Sequence, residues 1–280
     1  MEKGKKFMII NSLEKHLKPL IAAVIFLLAY VPTFIWMWTR WWAQDSYYSH
    51  GILIPFVTGF LIWQQKDELA KMKPQESPWG VWLIGVGIAI HLLSSLFRVY
   101  FTSGFSMFIV LVGLILYFYG SAILKKILFP VSFLIFMLPL PEVAITNISF
   151  RLKLFAAQLA KDVLNGMGIL AIQEGSLIKM RHAQVVVDDV CSGLRSLISL
   201  GALGAIFAYW LKGSMTKKVL LFLSTIPIAI FTNMCRVVIL SVISEVWGTQ
   251  YTTGFVHDAT GFLVFALAFL ILYAVTKVLE

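Results

Sequence analysis

Residues 219–246 read VLLFLSTIPIAIFTNMCRVVILSVISEV, an apolar run in which Arg236 and Glu245 are the only charged side chains. A helix needs about 20 residues to cross the hydrocarbon core of a bilayer, so this run is long enough to span it. A helix that is apolar on all its faces is typical of a membrane or of a large protein core. The run therefore predicts a membrane span.

Similar apolar runs recur along the chain. Hydrophobic residues make up 59% of the 280 residues and charged residues only 13%, which is more apolar surface than one soluble core of this size could bury. The sequence predicts an all-α polytopic membrane protein with about eight transmembrane helices. The predicted spans are Leu20 to Thr39, Gly51 to Trp63, Trp79 to Phe97, Gly104 to Tyr119, Ile127 to Leu140, Cys191 to Leu211, Val219 to Val246 and His257 to Thr276.

Lysines cluster in alternate connections between these spans, and cytoplasmic loops are the ones that carry excess Lys and Arg. Those connections and both termini are therefore predicted to be cytoplasmic. The net charge of +9 then reflects membrane topology, and no nucleic-acid partner is expected. The clustered lysines are Lys3, Lys5 and Lys6, then Lys66, Lys71 and Lys73, then Lys125 and Lys126, then Lys212, Lys217 and Lys218.

The longest of the opposite connections, Pro141 to Val190, is predicted to form a small extracytoplasmic insertion within a single membrane domain of residues 1–280. Val143 to Leu164 has helical periodicity with basic residues, which is typical of an interfacial helix. The β-branched run Val185 to Val187 indicates a short hairpin that leads into the sixth span.

Cys191 begins the sixth span in the run Asp188-Asp189-Val190-Cys191-Ser192-Gly193-Leu194-Arg195, where either aspartate could cap the helix. A thiol at a helix start meets the positive end of the helix dipole, and Arg195 lies one turn later. Both effects favour the thiolate and predict a nucleophile, with Gly193 leaving open space beside it. The alternative is a small cysteine that merely packs at a helix start.

Arg236 lies well inside the seventh span, where a guanidinium costs several kcal/mol unless it is paired or reaches water. An intramembrane arginine therefore suggests a functional site. The alternative is a helix-packing ion pair with Glu142 or Asp188. The neighbouring Cys235 should point to another side of the helix, and a disulfide between the two cysteines of the chain is not expected.

His257 begins the eighth span, where a helix N-terminus disfavours imidazolium and suits a general base. Asp258 could orient the ring, and Gly261 one turn later would let another helix approach closely. Because the predicted topology puts Cys191, Arg236 and His257 on the same side of the membrane, they could converge as nucleophile, cation and base. Such a set is suited to acyl transfer.

Three segments of the chain resemble the signature regions of exosortases and archaeosortases. They are the Cys-Ser-Gly-Leu-Arg-Ser core of Val187 to Leu197, the segment Asn233 to Arg236, and the His257-x-x-x-Gly261 start of the last helix. Asp45 to Gly51 and Leu138 to Pro141 also resemble that family. The two acids before Cys191 depart from the single acid expected there.

The resemblance implies a thiol peptidase and transpeptidase with Cys191 as nucleophile, Arg236 as catalytic arginine and His257 as catalytic histidine. Its partners would be secreted proteins that end in a PEP-CTERM-like sorting signal, which consists of a short motif, a transmembrane helix and a basic tail. The enzyme would remove the tail at the outer face of the cytoplasmic (inner) membrane and pass the protein to an acceptor whose nucleophile the sequence does not specify.

Four further residues are predicted to support the site, with His50 as a substrate contact or scaffold. They are Arg195, Asp258, Asn233 and His50. His182 on the predicted hairpin could also approach the site. No cysteine spacing suggests zinc or haem, so no cofactor or metal is expected, and membrane lipid is the expected surrounding.

Two other functions remain open at the level of sequence. A transporter or assembly subunit for polysaccharide or lipid would use Arg236 to bind an anionic headgroup, with Cys191 only packing. A rhomboid-like serine protease would use Ser192 or Ser196, but the Gly-x-Ser-x-Gly context is missing.

Overall fold

The structure is a computed structural model that describes residues 17–44, 46–188, 191–252 and 254–280. Lys3, Lys5, Lys6 and Asp189, which the predictions used, lie outside the described residues. The chain is mostly helical, with short 3-10 helices at Ser49–Ile52, Leu134–Met137 and Thr249–Thr252. The α-helices are α1 Leu17–Ala29, α2 Val31–Trp41, α3 Leu53–Trp63, α4 Lys66–Leu69, α5 Trp79–Leu96, α6 Tyr100–Lys126, α7 Leu128–Phe133, α8 Glu142–Gly166, α9 Leu194–Trp210, α10 Met215–Trp247 and α11 Phe255–Leu279.

Four of the described helices are each long and apolar enough to cross a membrane, namely α5, α6, α10 and α11. Two bent pairs, α1 with α2 and Leu128–Met137 with α8, meet the same criteria when each pair is taken as one span, which gives up to six. Only 17% of the 18 residues of α5 are buried inside the protein. The remaining apolar surface is suited to contact with lipid. The chain is a polytopic membrane protein.

The number of eight spans is not confirmed, although each predicted segment falls on helix. Ser49–Trp63 and α9 are apolar but short, and the 17 residues of α9 are at the lower limit of about 17 for a span. The first predicted span bends by 59° where α1 meets α2. Pro32 in the first turn of α2 explains the break, because proline starts helices but disrupts their interior.

The chain folds into two compact units. The first comprises Met1–Gln44 and Ser49–Pro139, and the second Asp45–Tyr48 and Leu140–Glu280. The prediction of a single domain over residues 1–280 stays a prediction.

In the first unit, α5 packs along α6 at very short range. A Cβ atom on Gly80 would lie 2.5 Å from the backbone nitrogen of Tyr117, so only glycine permits this approach. Thr33 of α2 and Ser103 of α6 share a buried hydrogen bond of 2.6 Å between their hydroxyls. A buried polar pair of this kind fixes the register of two apolar helices.

In the second unit, α10 is the central helix and packs against α8, α9 and α11. Ala156, Ala157 and Ala160 form a small-residue face of α8 that lets it approach α10 closely. The core between them also contains Leu164 of α8, Val237 of α10 and the candidate nucleophile Cys191. Cys191 is therefore positioned by the packing of α8 on α10.

A three-stranded antiparallel sheet connects α8 to Cys191. Its strands are β1 Ile172–Glu174, β2 Leu177–Lys179 and β3 Gln184–Val186, with β2 in the centre. The predicted β-branched run, Val185 to Val187, coincides with the end of β3, whereas β1 was not predicted. The predicted interfacial helix is part of α8. Placement of this region outside the membrane stays a prediction.

The lysine-rich ends of several helices lie together within each unit. In the first unit, Lys126 forms an ion pair with Glu68. In the second, Nζ of Lys217 near the start of α10 donates a hydrogen bond of 2.6 Å to the carbonyl of Leu279 at the end of α11. His257 lies at the opposite end of α11.

Candidate active site

Cys191 lies in the segment between β3 and α9, and only 5% of its surface is exposed. Its backbone is held at both ends. The N–H of Cys191 donates to the carbonyl of Asp188 at 2.9 Å, and Nδ2 of Asn233 on α10 donates to the carbonyl of Cys191 at 2.8 Å. Asn233 thus attaches the cysteine segment directly to the central helix of the second unit.

Gly193 follows in a backbone conformation that favours glycine, with φ at +82°. A Cβ atom added there would lie 2.9 Å from Cγ of Asn233. Gly193 is predicted from sequence to leave open space beside Cys191, and that prediction is wrong. Asn233 fills this space, so the glycine is needed both for its φ and for the close approach of the amide that holds Cys191.

Cys191 does not begin a helix, contrary to the sequence prediction, because α9 starts only at Leu194 with Gly193 as its N-cap. The thiol is therefore outside the first turn, where the dipole acts most strongly. Burial raises the pKa of the Cys191 thiol above its ordinary value, and the charge of Asp188 adds to the rise. Arg236 lowers that pKa more than the expected Arg195 does.

His257 lies in the first turn of α11, which begins at Phe255 after an N-cap glycine, Gly254, at φ +60°. Nε2 of His257 is 3.8 Å from Sγ of Cys191, within hydrogen-bond distance for sulfur. The carbonyl of His257 accepts a hydrogen bond of 2.9 Å from Oγ1 of Thr260. The first contact brings a base within hydrogen-bond distance of the thiol.

Arg236 lies on α10 one turn after Asn233, and only 9% of its surface is exposed. Its Nη2 donates a hydrogen bond of 3.1 Å to the carbonyl of His257. Its Nε is buried and donates to no described residue. A buried donor without a partner is costly, so this guanidinium is arranged to bind another acceptor.

Gly261 of α11 provides the room for this guanidinium. A Cβ atom at Gly261 would lie 3.1 Å from Nη2 of Arg236, closer than nearly all Cβ contacts. Gly261 is predicted from sequence to let another helix approach closely, and α10 packs against α11. At Gly261 itself, the guanidinium of Arg236 from α10 occupies the space beside the glycine.

A cavity of about 220 Å³ opens beside the cysteine and the histidine. Its walls come from β3 and the residues after it, from α10, and from the 3-10 helix before α11. The lining residues are Gln184, Val185, Val186, Val187, Asp188, Cys191, Val237, Leu240, Thr249, Thr252 and His257.

The family profile of transmembrane exosortases matches residues 38–274, a range that contains the whole site. The chain belongs to the transmembrane exosortase family. No curated protein and no solved structure matches it. Membership confirms the resemblance found in the three signature segments, and together with its apolar helices it makes this exosortase a multi-pass membrane protein. The catalytic roles of individual residues stay predictions.

The supporting residues of the exosortase differ in how they relate to the site. Asn233 contacts the cysteine segment directly. Arg195 is in the first turn of α9, and its buried Nε has no partner among the described residues. Asp258 is exposed and makes no hydrogen bond to His257 within the described chain. His50 lies in the 3-10 helix Ser49–Ile52 of the first unit, whereas the other candidates lie in the second.

His182, the possible approaching histidine, is held elsewhere in the exosortase. Its Nδ1 is 2.9 Å from Oε1 of Glu245, and its backbone N–H donates to the same carboxylate at 3.0 Å. Glu245 therefore fastens the turn after β2 to α10, a role that the sequence analysis missed. An acidic residue inside an apolar run was the available signal. Both cysteines are free thiols, as predicted.

Proposed function

We propose that this exosortase is a membrane-embedded cysteine peptidase of transpeptidase type, which cleaves the C-terminal sorting signal of secreted proteins and passes them to an acceptor. The observation that carries the proposal is the contact of 3.8 Å between Sγ of Cys191 and Nε2 of His257. Nucleophile and base at hydrogen-bond distance are the minimum for thiol acyl transfer. Arg236 completes the set, because it is bound to the backbone of the same histidine.

In the first half-reaction, the Cys191 thiol gives its proton to Nε2 of His257, and the sulfur attacks the carbonyl carbon of the scissile peptide bond. The carbonyl oxygen becomes an oxyanion. The Nε–H of Arg236, which has no partner among the described residues, can stabilise it by a charged hydrogen bond. The C–N bond then breaks, the amine leaves with the proton from His257, and the acyl group remains on Cys191 as a thioester.

Because burial raises its pKa, the thiol is expected to be protonated in the resting enzyme, with His257 acting as general base during attack. In the second half-reaction, His257 takes a proton from the acceptor, whose nitrogen or oxygen attacks the thioester carbonyl. The C–S bond breaks, and the proton returns from His257 to the sulfur. An amine acceptor gives transfer, and water gives hydrolysis.

The proposed substrates end in a short motif, a transmembrane helix and a basic tail, which is a PEP-CTERM-like sorting signal. A basic tail favours the cytoplasmic side, so the motif before the helix would emerge at the outer face of the inner membrane. The proposal therefore includes eight spans, cytoplasmic termini and a site near the extracytoplasmic face. In support, Lys217 and Leu279 contact each other at the end of α11 opposite His257.

The test is processing of a tailed reporter in cells. The reporter is a secreted protein whose final residues come from one tail with motif, helix and basic end encoded in the same genome. Cys191→Ala should abolish cleavage, while the matched control Cys235→Ala, the other free thiol, should cleave as the wild type does. His257→Ala should be nearly inactive, and adding it to Cys191→Ala should change almost nothing further, because members of one catalytic unit are not additive.

Membrane levels of each variant are measured in parallel by immunoblotting. Cleavage by Cys191→Ala at a rate comparable to the wild type would exclude thiol catalysis. A transport or assembly role, in which Cys191 only packs, would then have to be considered.

A further inference from the structure

The strand next to the candidate site has one unused edge. The N–H of Val187 donates to the carbonyl of Ser176 at 2.9 Å, and that of Met180 donates to the carbonyl of Ala183 at 2.9 Å. Since backbone groups alternate sides along an antiparallel strand, Ala183, Val185 and Val187 face β2. The backbone groups of Gln184 and Val186 therefore point away from the sheet, and no described strand pairs with them.

This edge opens into the cavity that contains the site. The four consecutive residues 184–187 all line the cavity, together with Cys191 and His257. Side chains of consecutive strand residues point to opposite faces of a sheet. Because all four residues nevertheless line one cavity, it is the backbone edge of the strand that faces the cavity. Val237 and Leu240 of α10 are part of the cavity lining as well.

The strand also lacks two residue types that normally keep an edge unpaired. Protective edges carry proline, lysine, a bulge or a covering element, because exposed N–H and C=O groups recruit other strands. β3 has neither proline nor lysine, and Val186 on it is 52% exposed. An edge of this kind is suited to receive an extended peptide.

We infer that the substrate binds to this exosortase by strand addition to β3. This inference rests on the proposed function. The added strand is the extended segment of the substrate that precedes its membrane helix. Its backbone bonds to the outward groups of Gln184 and Val186, which guides the scissile carbonyl along the cavity to Cys191. Recognition through backbone groups gives affinity that depends little on side chains, while alternate side chains contact the cavity walls.

The experiment removes one outward donor and leaves the sheet intact. Val186→Pro deletes the N–H that faces the cavity, and proline is tolerated on an edge strand where the N–H is outside the ladder. Val186→Ala is the matched control, since it shortens the same side chain and keeps the N–H. In full-length enzyme in membranes, Val186→Pro should cleave the tailed reporter at least about tenfold more slowly than Val186→Ala.

Alkylation of Cys191 by iodoacetamide, measured in a Cys235→Ala background, serves as the check on folding. An unchanged alkylation rate in Val186→Pro would locate the defect in substrate binding. If Val186→Pro does not accumulate in the membrane, Gln184→Pro compared with Gln184→Ala carries the same test at the other outward donor. Equal cleavage by the proline and alanine variants would overturn strand addition.

A proline scan of the reporter tests the same contact from the substrate side. Single prolines before its membrane helix should impair cleavage at every second position, because only alternate residues direct their N–H toward β3. Alanine at each position is the control, and loss without alternation would contradict the inference. The proposed function fails separately: if Cys191→Ala is inactive but Val186→Pro cleaves normally, only strand addition is wrong.

Discussion

At the scale of single residues, Arg236 and Cys191 are each held in position by hydrogen bonds to residues that are distant in sequence. Nη2 of Arg236 is bound to the carbonyl of His257, which fixes the plane of the guanidinium and leaves its buried Nε without a described partner. Arginine can hold two acceptors at once because its donors form a rigid fork. Lysine has the charge but not this geometry.

The first prediction follows from that fork. Arg236→Lys should lower the rate of reporter cleavage by about 100-fold or more, the usual cost of losing an oxyanion donor. Cleavage per unit of membrane-inserted enzyme is the measurement, so that a loss of folded protein is not counted as a loss of activity. Full activity of the lysine variant would mean that positive charge alone suffices and that the oxyanion role is wrong.

The second prediction concerns pH and the thiol. Asp188 raises the pKa of Cys191, so Asp188→Asn should lower it and increase the thiolate fraction at every pH below the pKa. In a Cys235→Ala background, the rate of Cys191 alkylation should rise with pH in both proteins. The curve of the Asp188→Asn variant should lie at lower pH and give faster alkylation at neutral pH. Slower alkylation of the variant at neutral pH would contradict the electrostatic reasoning.

At the scale of elements, the segment from β3 to α9 is held against α10 by a close contact of glycine and amide. Gly193 adopts a positive φ, and Asn233 packs where its Cβ would be. The same amide binds the carbonyl of Cys191. The position of the thiol thus depends on how closely two elements approach.

The third prediction tests this contact. Gly193→Ala forces an ordinary residue to φ +82° and presses it on Asn233, which should cost about 1 to 3 kcal/mol or more. Its thermal unfolding midpoint in detergent should fall below that of the wild type, and cleavage should fall with it. Cys191→Ala is the comparison, because it removes the nucleophile at a buried site without straining the backbone, and its midpoint should fall less than that of Gly193→Ala. A Gly193→Ala protein with wild-type midpoint and activity would rule out this contact as a constraint.

At the scale of the whole molecule, topology decides which helix ends share a side of the membrane. Within the first unit, Lys126 pairs with Glu68, and within the second, Lys217 contacts Leu279. Each contact places two helix ends of the same unit close together. The positive-inside rule predicts that the lysine-bearing ends of each unit face the cytoplasm.

The fourth prediction is that reporter fusions at Lys71, Lys126, Lys217 and the carboxyl terminus all report a cytoplasmic location. Fusions that respond oppositely on the two sides, such as alkaline phosphatase and green fluorescent protein, provide the measurement. An external signal at Lys217 would reverse α10 and α11 and so contradict the proposed outer location of the site. Different signals at Lys217 and the carboxyl terminus would conflict with their direct contact.

The sequence alone determined the class of fold and the family. The length of an apolar run decides whether a helix can cross a membrane, and this length can be read directly from neighbouring residues. The eight predicted segments fall on helix, although the number of spans is not confirmed. Cys191, Arg236 and His257 could also be proposed from sequence, because a charge inside an apolar run is costly and because short segments carry the family resemblance. The predicted functions of these residues remain to be tested by the variants above.

Only the tertiary structure decided how these residues meet. The contact between Cys191 and His257 and the hydrogen bond from the Asn233 amide to the cysteine carbonyl join elements that are distant along the chain. The open edge of β3 depends on which described strands pair in the folded sheet. The prediction that a helix dipole activates Cys191 is wrong, because α9 starts only at Leu194, after Gly193 with its positive φ. Burial then raises the thiol pKa, and burial is a property of packed elements that no local run of residues specifies.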